Sequence, residues 1–497
     1  MTMKLKEILK GVDIIYDSPF RDTDIAGITN NSKQAKDKFL FVAIAGTKFD
    51  GRDFIEEAIN RGARTIIYAS GHLDEHILRK KGITFIRARD IYRSVAVIAD
   101  NFYHHPSSRV KVVGITGTNG KTTTTYLIEN ILKKAGFKSG VIGTINYRFG
   151  QRLIPATNTT PGPIQLQELL HNMEMEGVNY AVMEVSSHGL EQRRVEGIDF
   201  RVGVFTNVTM DHLDYHKTFE NYFHAKSMLF KGLSSSSWAI INIDDSYGKQ
   251  LLLHTEAKTI TYAIDNTADV EARDISGEID GSRFTVVAPY GRFETNTPLI
   301  GRHNIYNILA AVSYGVSQNI ALDLIRQGIE ELSFVPGRLE RIDVGQPFKV
   351  FVDYAHTDDA LKNVLLSLRP LCRGKIIVVF GCGGDRYRDK RPLMGKIASD
   401  LADYVVLTTD NPRSEEPEAI IKDIEEGFPK EFANYRVILD RYAAIKEAIC
   451  LAEDDDVVII AGKGHETYQI FKNTTMPFDD RIVAKEVLLE NDLLRCG

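Results

Sequence analysis

The chain has 497 residues, a formal net charge of -6 and four cysteines, which is enough length for about three domains with buried cores. A mildly acidic balance lacks the basic footprint of a dedicated nucleic-acid binder. Cys372, Cys382, Cys450 and Cys496 lie far apart without a C-x-x-C, so neither a disulfide framework nor a cysteine zinc site is suggested. The N-terminus mixes charge into every apolar run and no stretch approaches about 18 uncharged apolar residues, so membrane insertion is not expected and a cytoplasmic protein is.

In chain order, residues 1–105 read as a smaller α/β unit, with strand-like runs at 39–44 and 65–69 and helical stretches at 53–61 and 91–102. The unit ends at the polar, proline-containing joint Tyr103-His104-His105-Pro106-Ser107-Ser108. A second unit, 106–335, opens with a buried strand at 109–113. It is followed by Gly114-Ile115-Thr116-Gly117-Thr118-Asn119-Gly120-Lys121-Thr122-Thr123 and then by Leu127, Ile128, Ile131, Leu132 and Ala135 at helical spacing, with Gly136 as a stop. A glycine-rich turn between strand and helix lets backbone N–H groups curl around an anion at the positive end of the helix. Gly-Lys-Thr there reads as a nucleotide phosphate loop: Lys121 reaches the β- and γ-phosphates and the Thr122 hydroxyl takes a place on Mg²⁺. The common pattern has glycine where this chain has Ile115; its glycines fall at 114, 117 and 120.

Near-continuous apolar runs at 180–185 and 202–208 read as parallel strands covered on both faces. Glu184 ends the first, and Asp211-His212-Leu213-Asp214-Tyr215-His216 follows the second, so both fall at the sheet edge that carries the phosphate loop. A carboxylate and an imidazole there can hold Mg²⁺. Zinc on His212 and His216 lacks a third ligand and the glutamate of H-E-x-x-H. The helix predicted over 218–230 has an apolar stripe through Phe219, Phe223 and Phe230, and Lys226 falls on it. An inward lysine is neutral, paired or modified; either its tip snorkels to solvent or it adds CO₂ and becomes a carbamate, and spacing does not choose.

The third unit, 336–497, alternates strands at 348–352, 375–380, 404–407, 436–439 and 457–460 with helices, a doubly wound arrangement. Residues 381–386, Asp410-Asn411-Pro412-Arg413 and Gly462-Lys463-Gly464-His465-Glu466 each directly follow a strand. In a parallel sheet they emerge at one carboxyl edge, so Arg386, Arg413 and Glu466 are expected to share a crevice.

Taken together, Gly-Thr-Asn-Gly-Lys-Thr-Thr, Glu184-Val-Ser-Ser-His, Asp211-His212 with Tyr215-His216 and Lys226, Gly301-Arg302-His303-Asn304-Ile305-Tyr306-Asn307, and Asp353-Tyr354-Ala355-His356 resemble the Mur ligases of bacterial peptidoglycan synthesis. The run Thr157-Asn158-Thr159-Thr160-Pro161, Gln192, Arg194 and the late clusters resemble the type within that family that forms the muramyl tripeptide. The resemblance implies three α/β domains: a small substrate-binding one, a central ATPase-like domain on a parallel sheet, and a C-terminal Rossmann-like one. It also implies ATP-dependent amide ligation, in which the γ-carboxylate of D-glutamate in UDP-N-acetylmuramoyl-L-Ala-D-Glu is phosphorylated and then attacked by the amine of a diamino acid.

By the same resemblance, Gly117, Thr118, Asn119, Gly120, Lys121, Thr122, Thr123, Asn304, Arg338, Asp353 and His356 hold ATP. Thr122, Glu184, His212 and a carbamylated Lys226 serve Mg²⁺, with Lys121, Glu184, His212 and Lys226 as the catalytic set. Asn30, Ser32, Asn158, Thr159, Thr160, Ser186, Gln192 and Arg194 match contacts to the UDP-muramoyl dipeptide. Arg386, Asp410, Asn411, Pro412, Arg413, Gly462 and Glu466 match those to the amino acid, and Arg413 favours meso-diaminopimelate because lysine lacks the distal carboxylate an arginine pairs with. A monomer is expected. Two motifs depart from the family pattern: Asn31-Ser32-Lys33 stands for Asp-Ser-Arg, and Asp358 for a proline. The alternatives are an L-lysine-adding relative, a folylpolyglutamate synthetase-like ligase, or a nucleotide-dependent binding protein, which would leave Glu184, Lys226 and the third-unit crevice unexplained.

Overall fold

Three sheets, each with a parallel core, carry the chain. The computed structural model describes residues 2–495 apart from 47, 48, 70 and 72; Cys496 lies outside the described residues. In the first sheet Thr84–Ala88, Thr65–Ala69, Phe39–Ala43 and Gly27–Thr29 run parallel, with Ile14–Tyr16 antiparallel at one edge. The helix over 91–102 forms with the expected bounds, Ile91–Phe102, capped by the Asp90 side chain on the Arg93 N–H.

The central sheet has eleven strands, and its middle is parallel: Ser139–Ile142, Tyr180–Glu184, Lys111–Thr116, Phe200–Phe205, Trp238–Asn242, Lys258–Ala263 and Val270–Glu278, in that spatial order. Antiparallel hairpins extend both ends, 146–155 on one side and 281–297 on the other, so the sheet as a whole is mixed. Alternate residues of the middle strands face two cores. Val113, Ile115, Val182 and Val204 pack with Leu127, Ile128 and Ile131 of helix Lys121–Lys134 and with Ile305 and Ile308 of Arg302–Ser317. Val112, Ala181, Met183 and Phe205 pack with Leu166, Leu170, Tyr222 and Phe230 on the opposite face. Each fully buried aliphatic side chain contributes about 1.5–3 kcal/mol of transfer free energy, which is why these runs read as apolar on both faces.

The third sheet orders its strands Glu340–Ile342, Lys349–Asp353, Val457–Ala461, Ile376–Phe380, Tyr404–Leu407 and Tyr435–Val437, all parallel except the first. Inserting the last strand in sequence, Val457–Ala461, between the two earliest of the parallel set brings the segment after it beside the segments after residues 353 and 380. Beneath these segments Arg391, fully buried, pairs with Glu415 at 2.9 Å and Asp423 at 2.7 Å and donates to the Gly383 carbonyl. Glu415 in turn accepts the Asp385 N–H at 2.7 Å and a hydrogen bond from Arg388.

Hydrogen bonding from Arg391 holds the Glu415 carboxyl at about 2, below its ordinary 4.5. A depressed carboxylate stabilises the fold above its ordinary value and loses that contribution as pH falls from about 4.5 toward about 2. Glu415→Gln is therefore expected to lower the urea midpoint at pH 7, with the deficit shrinking as pH approaches 2; a deficit constant across that window contradicts the ion-pair account.

Candidate active site

The phosphate loop is set by strand register. Ile115 lies opposite Glu184 on one neighbouring strand and Thr116 opposite Phe205 on the other, so residues that follow both neighbours flank the loop. The strand before the loop runs to Thr116, three residues beyond the expected end, and Gly114 belongs to it: a Cβ there would meet the Phe200 ring at 2.6 Å. The loop proper is thus short, which is how Ile115 is accommodated as an ordinary buried strand residue. Gly120 caps the helix with φ 86°, and a Cβ on it would lie 2.2 Å from Asn307 Oδ1, so both conformation and space call for glycine.

The loop is bolted in place by residues the sequence reading did not single out. Asn207 Oδ1 accepts the Asn119 N–H at 2.9 Å, Thr206 Oγ1 donates to the Asn119 carbonyl at 2.6 Å, and Thr118 Oγ1 meets Tyr222 Oη at 3.0 Å. Thr122 and Thr123 are buried in the first turn of the following helix. Asn304 donates to the Ile300 carbonyl and accepts from Asn307, whose Oδ1 faces Gly120.

Lys121 Nζ donates to the carbonyls of Gly117 (2.9 Å) and Thr118 (2.8 Å), and Lys226 Nζ donates to the same Gly117 carbonyl at 2.7 Å. Lys226 is 1% exposed, with its ammonium 4.4 Å over the Tyr222 ring, so its tip does not snorkel to water. Burial and then the neighbouring Lys121 charge push its pKa well down, against a smaller pull from Asp211. Lys121 is also lowered, by burial first, with Glu184 and Asp211 opposing. Burial pushes the Asp211 carboxyl up, but His212, His356 and Lys121 together outweigh it and hold it below its ordinary value.

Glu184, 1% exposed, accepts from Thr122 Oγ1 at 3.0 Å on each oxygen and from the N–H and Oγ1 of Thr144, both at 2.9 Å. His212 sits at φ 54° with its ring 4.9 Å from that of His188 and 6.1 Å from Tyr222. His216 packs against the same His188 and Tyr222 rings, at 5.4 and 5.2 Å, and bonds Ser187 at 2.9 Å and Glu191 at 3.2 Å.

From the third sheet, Arg338 Nη2 reaches Thr122 Oγ1 at 3.3 Å, and its Nε is buried without a hydrogen-bond partner. Asp353 is spent on the backbone: it accepts the N–H groups of Leu339 and Ala355, each at 2.7 Å. His356 is exposed and held by the Tyr354 carbonyl at 2.8 Å. Asp359, also unforeseen, accepts from Asn119 Nδ2 at 2.8 Å and Thr209 Oγ1 at 3.1 Å, so the phosphate loop and the helix Asp358–Leu368 are joined directly.

Beside Glu184, Thr160 Oγ1 donates to the Glu184 carbonyl and accepts the Ser186 N–H, both at 2.9 Å; Thr159 meets Thr144 at 3.1 Å. Arg194 donates to the Thr160 carbonyl at 2.7 Å and to Gln192 Oε1 through Nε and Nη2, and Gln192 donates to Tyr215 Oη. All of its partners are neutral, a cation held ready for an anion. The Asn158 carbonyl is anchored by Tyr147 Oη at 2.6 Å. Asn30 is exposed after strand Gly27–Thr29 and Ser32 donates to Glu57 at 2.6 Å; neither bonds to residues of the phosphate loop.

At the third-sheet edge the expected convergence is present. Arg413, at φ 53°, donates to the carbonyls of Gly384 (2.9 Å) and Asn411, and its pKa is lowered by burial and then by Arg386. Arg386 bonds the Asp385 carbonyl, and neither arginine has a carboxylate partner among the described residues. Asn411 Nδ2 donates to Glu466 Oε2 at 2.8 Å. Asp410 Oδ2 lies 2.6 Å from where a Cβ on Gly462 would stand, and the Pro412 carbonyl crowds Gly384 in the same way. Tyr354 links the two halves of the crevice: its ring carries the Arg338 guanidinium at 4.6 Å and stands 4.9 Å from His465.

Residues 24–116 match the Mur ligase family, catalytic domain; 115–315 the Mur ligase middle domain; and 337–464 the Mur ligase, glutamate ligase domain. A UDP-N-acetylmuramoyl-L-alanyl-D-glutamate–2,6-diaminopimelate ligase of Clostridium tetani is 46% identical over 490 residues, covering 98% of this chain and all of the relative. The ligase of that name from Bacillus cereus is 42% identical over 98% of both chains. A solved structure of a ligase with the same name superposes with a TM-score of 0.70 at 32% identity, over 99% of this chain and all of the other. A folylpolyglutamate synthase of Mycobacterium tuberculosis shares the fold alone, at 18% identity and a TM-score of 0.64 over 75% of this chain and 93% of that one. With family segments spanning most of its length and relatives matched end to end, the chain belongs to the Mur ligase family.

Proposed function

We propose that this enzyme adds meso-diaminopimelate to the γ-carboxylate of D-glutamate in UDP-N-acetylmuramoyl-L-Ala-D-Glu, in peptidoglycan synthesis, with ADP and phosphate as the other products. The observation that carries the amine assignment is the arginine pair, Arg386 and Arg413, without a carboxylate partner beside Glu466. A distal carboxylate completes that pair, while the distal ammonium has Glu466 as acceptor. An L-lysine-adding ligase would leave both guanidiniums unpaired.

The donors around the phosphate loop suit a polyphosphate. Lys121 reaches only backbone carbonyls and the Arg338 Nε is an orphaned buried donor; an anion relieves both. In this reading Gly117–Thr123 wrap the phosphates, with Lys121 on the γ-phosphoryl group as it moves to the carboxylate. Arg338, Asn304, Asp353 and His356 supply the wall on the side of the third sheet. Thr122, Glu184 and His212 hold Mg²⁺, whose contribution when bound is to neutralise charge on the phosphates. Lys226, whose pKa burial lowers, is suited to take up CO₂ as a carbamate, which would make it an anionic partner for Mg²⁺. Arg194, Gln192, Ser186 and Asn158–Thr160 orient the muramoyl dipeptide so that its carboxylate meets the γ-phosphoryl group. Asn30 and Ser32 serve the uridine end, with Ser32 first released from Glu57.

The amine then attacks the acyl phosphate from the side of the Arg413 crevice and phosphate leaves. Positioning and charge neutralisation supply the catalysis, with no protein nucleophile. Domain limits of 1–105, 106–335 and 336–497, a monomeric state and a cytoplasmic site of action complete the proposal.

Phosphate release assayed with ATP, the UDP-muramoyl dipeptide and each amine tests it. Release is expected only when all three substrates are present and with meso-diaminopimelate far above L-lysine. Arg413→Ala is expected to cut kcat/KM for diaminopimelate by roughly 10²-fold while leaving the KM for ATP little changed; an unaltered value removes Arg413 from the amine site. Lys226→Ala is expected to lose activity and to regain part of it with added acetate, a small carboxylate for the vacated anionic position. Rescue absent at saturating acetate, with the variant folded, contradicts the carbamate.

A further inference from the structure

Lys463 is the most completely buried lysine in the third-sheet crevice, with no exposed surface, yet it lies directly under the amine site. Its Nζ donates to Glu466 Oε2 at 3.0 Å and to Asn411 Oδ1 at 3.3 Å, and stands 5.5 Å over the Tyr468 ring. A buried ammonium is costly unless paired and hydrogen-bonded. Here the pairing is with the very carboxylate the amine reading assigns to the ligand's distal ammonium.

The surrounding hydrogen bonds make the arrangement rigid. Asn411 holds Glu466 through Nδ2 while its Oδ1 accepts both Lys463 and the Ile470 N–H at 3.0 Å. Gln469, also buried, donates to the Thr409 and Asp410 carbonyls, and the Arg413 N–H donates to the Ile470 carbonyl at 3.0 Å. Oε2 of Glu466 is therefore occupied on two sides, and Oε1 has no hydrogen-bond partner among the described residues.

From this geometry we infer that Lys463 is a specificity-determining positioning residue: it fixes Glu466 with one oxygen presented to the ligand, and it sets the charge of the crevice. Arg386 and Arg413 stand near Asp385, Asp410 and Glu466, with the Arg441–Asp480 pair behind, and Lys463 is the cation in direct contact with Glu466. Such a crevice accepts a distal end that carries both a carboxylate and an ammonium. It disfavours one that carries an ammonium alone. Removing the Lys463 ammonium lowers the charge of the crevice by one and leaves Glu466 Oε2 with Asn411 alone, which favours a bare ammonium. The inference rests on the proposed diaminopimelate site, but its readout is a change in preference between amines and not the preference itself.

The test compares wild type, Lys463→Met and Lys463→Arg with meso-diaminopimelate and L-lysine at saturating ATP and UDP-muramoyl dipeptide. For Lys463→Met the KM for diaminopimelate is expected to rise about tenfold or more with kcat within about threefold, and the ratio of kcat/KM for lysine over diaminopimelate to rise about tenfold or more. Lys463→Arg, which keeps the charge, is expected to hold that ratio near the wild-type value. A merely structural lysine would lower both amines in parallel, and an unchanged ratio in a folded Lys463→Met enzyme overturns the inference. Should that variant fail to fold, the wild-type crystal structure with meso-diaminopimelate decides. Lys463 on Oε2 with the ligand ammonium on Oε1 supports the assignment, and a ligand that displaces Lys463 from Glu466 overturns it. A wild-type enzyme that prefers lysine would refute the diaminopimelate reading separately, since the shift caused by Lys463→Met is still measured.

Discussion

Two lysine ammonium groups converge on one carbonyl oxygen, that of Gly117, and much of the site follows from that crowding. Burial lowers the pKa of each; the Lys121 charge lowers that of Lys226 further, and Arg338 lowers that of Lys121. Asp211 opposes this for both lysines and Glu184 for Lys121, while Thr122 and Thr144 occupy both Glu184 oxygens. Buried donors aimed at one small space are what a phosphoryl-transfer site requires of its preorganised groups.

Topology extends this from one loop to a whole crevice. The carboxyl edge of the central sheet and that of the third sheet meet where Arg338 bonds Thr122 and where Asp359 bonds Asn119 and Thr209. Tyr354 then passes the contact on, between the Arg338 guanidinium and the His465 ring, to the loops that carry Arg413 and Glu466. The phosphate loop and the loops of Arg413 and Glu466 are thus neighbours across one seam, so a change in the angle between the sheets alters both at once.

Much of this was legible in the sequence because it depends on short-range signals. Gly-Lys-Thr between an apolar strand and a periodic helix locates the phosphate loop, and the edge rule for parallel sheets locates Glu184, Arg386, Arg413 and Glu466 from strand ends alone. Lys226 was visible as a lysine on an apolar stripe, but its burial and its Gly117 partner depend on the packing of helix Phe219–Lys231 against the central strand. Asn207, Thr144, Tyr222 and Asp359 carry no pattern of their own; each matters through a partner between 40 and 240 residues away. The two antiparallel hairpins at the ends of the central sheet were missed for a similar reason. Their strands expose one face, so they lack the continuous apolar run that marked the parallel ones.

In the proposed reaction, carboxylate, γ-phosphoryl group and amine meet at this one seam through an acyl phosphate. This claim is tested most directly by preparing the UDP-muramoyl dipeptide with ¹⁸O in the γ-carboxylate and analysing the phosphate released during ligation to meso-diaminopimelate. One ¹⁸O in each phosphate is predicted, because the oxygen that attacks phosphorus leaves with it when the amine displaces it. Unlabelled phosphate accompanying full amide formation would contradict the claim.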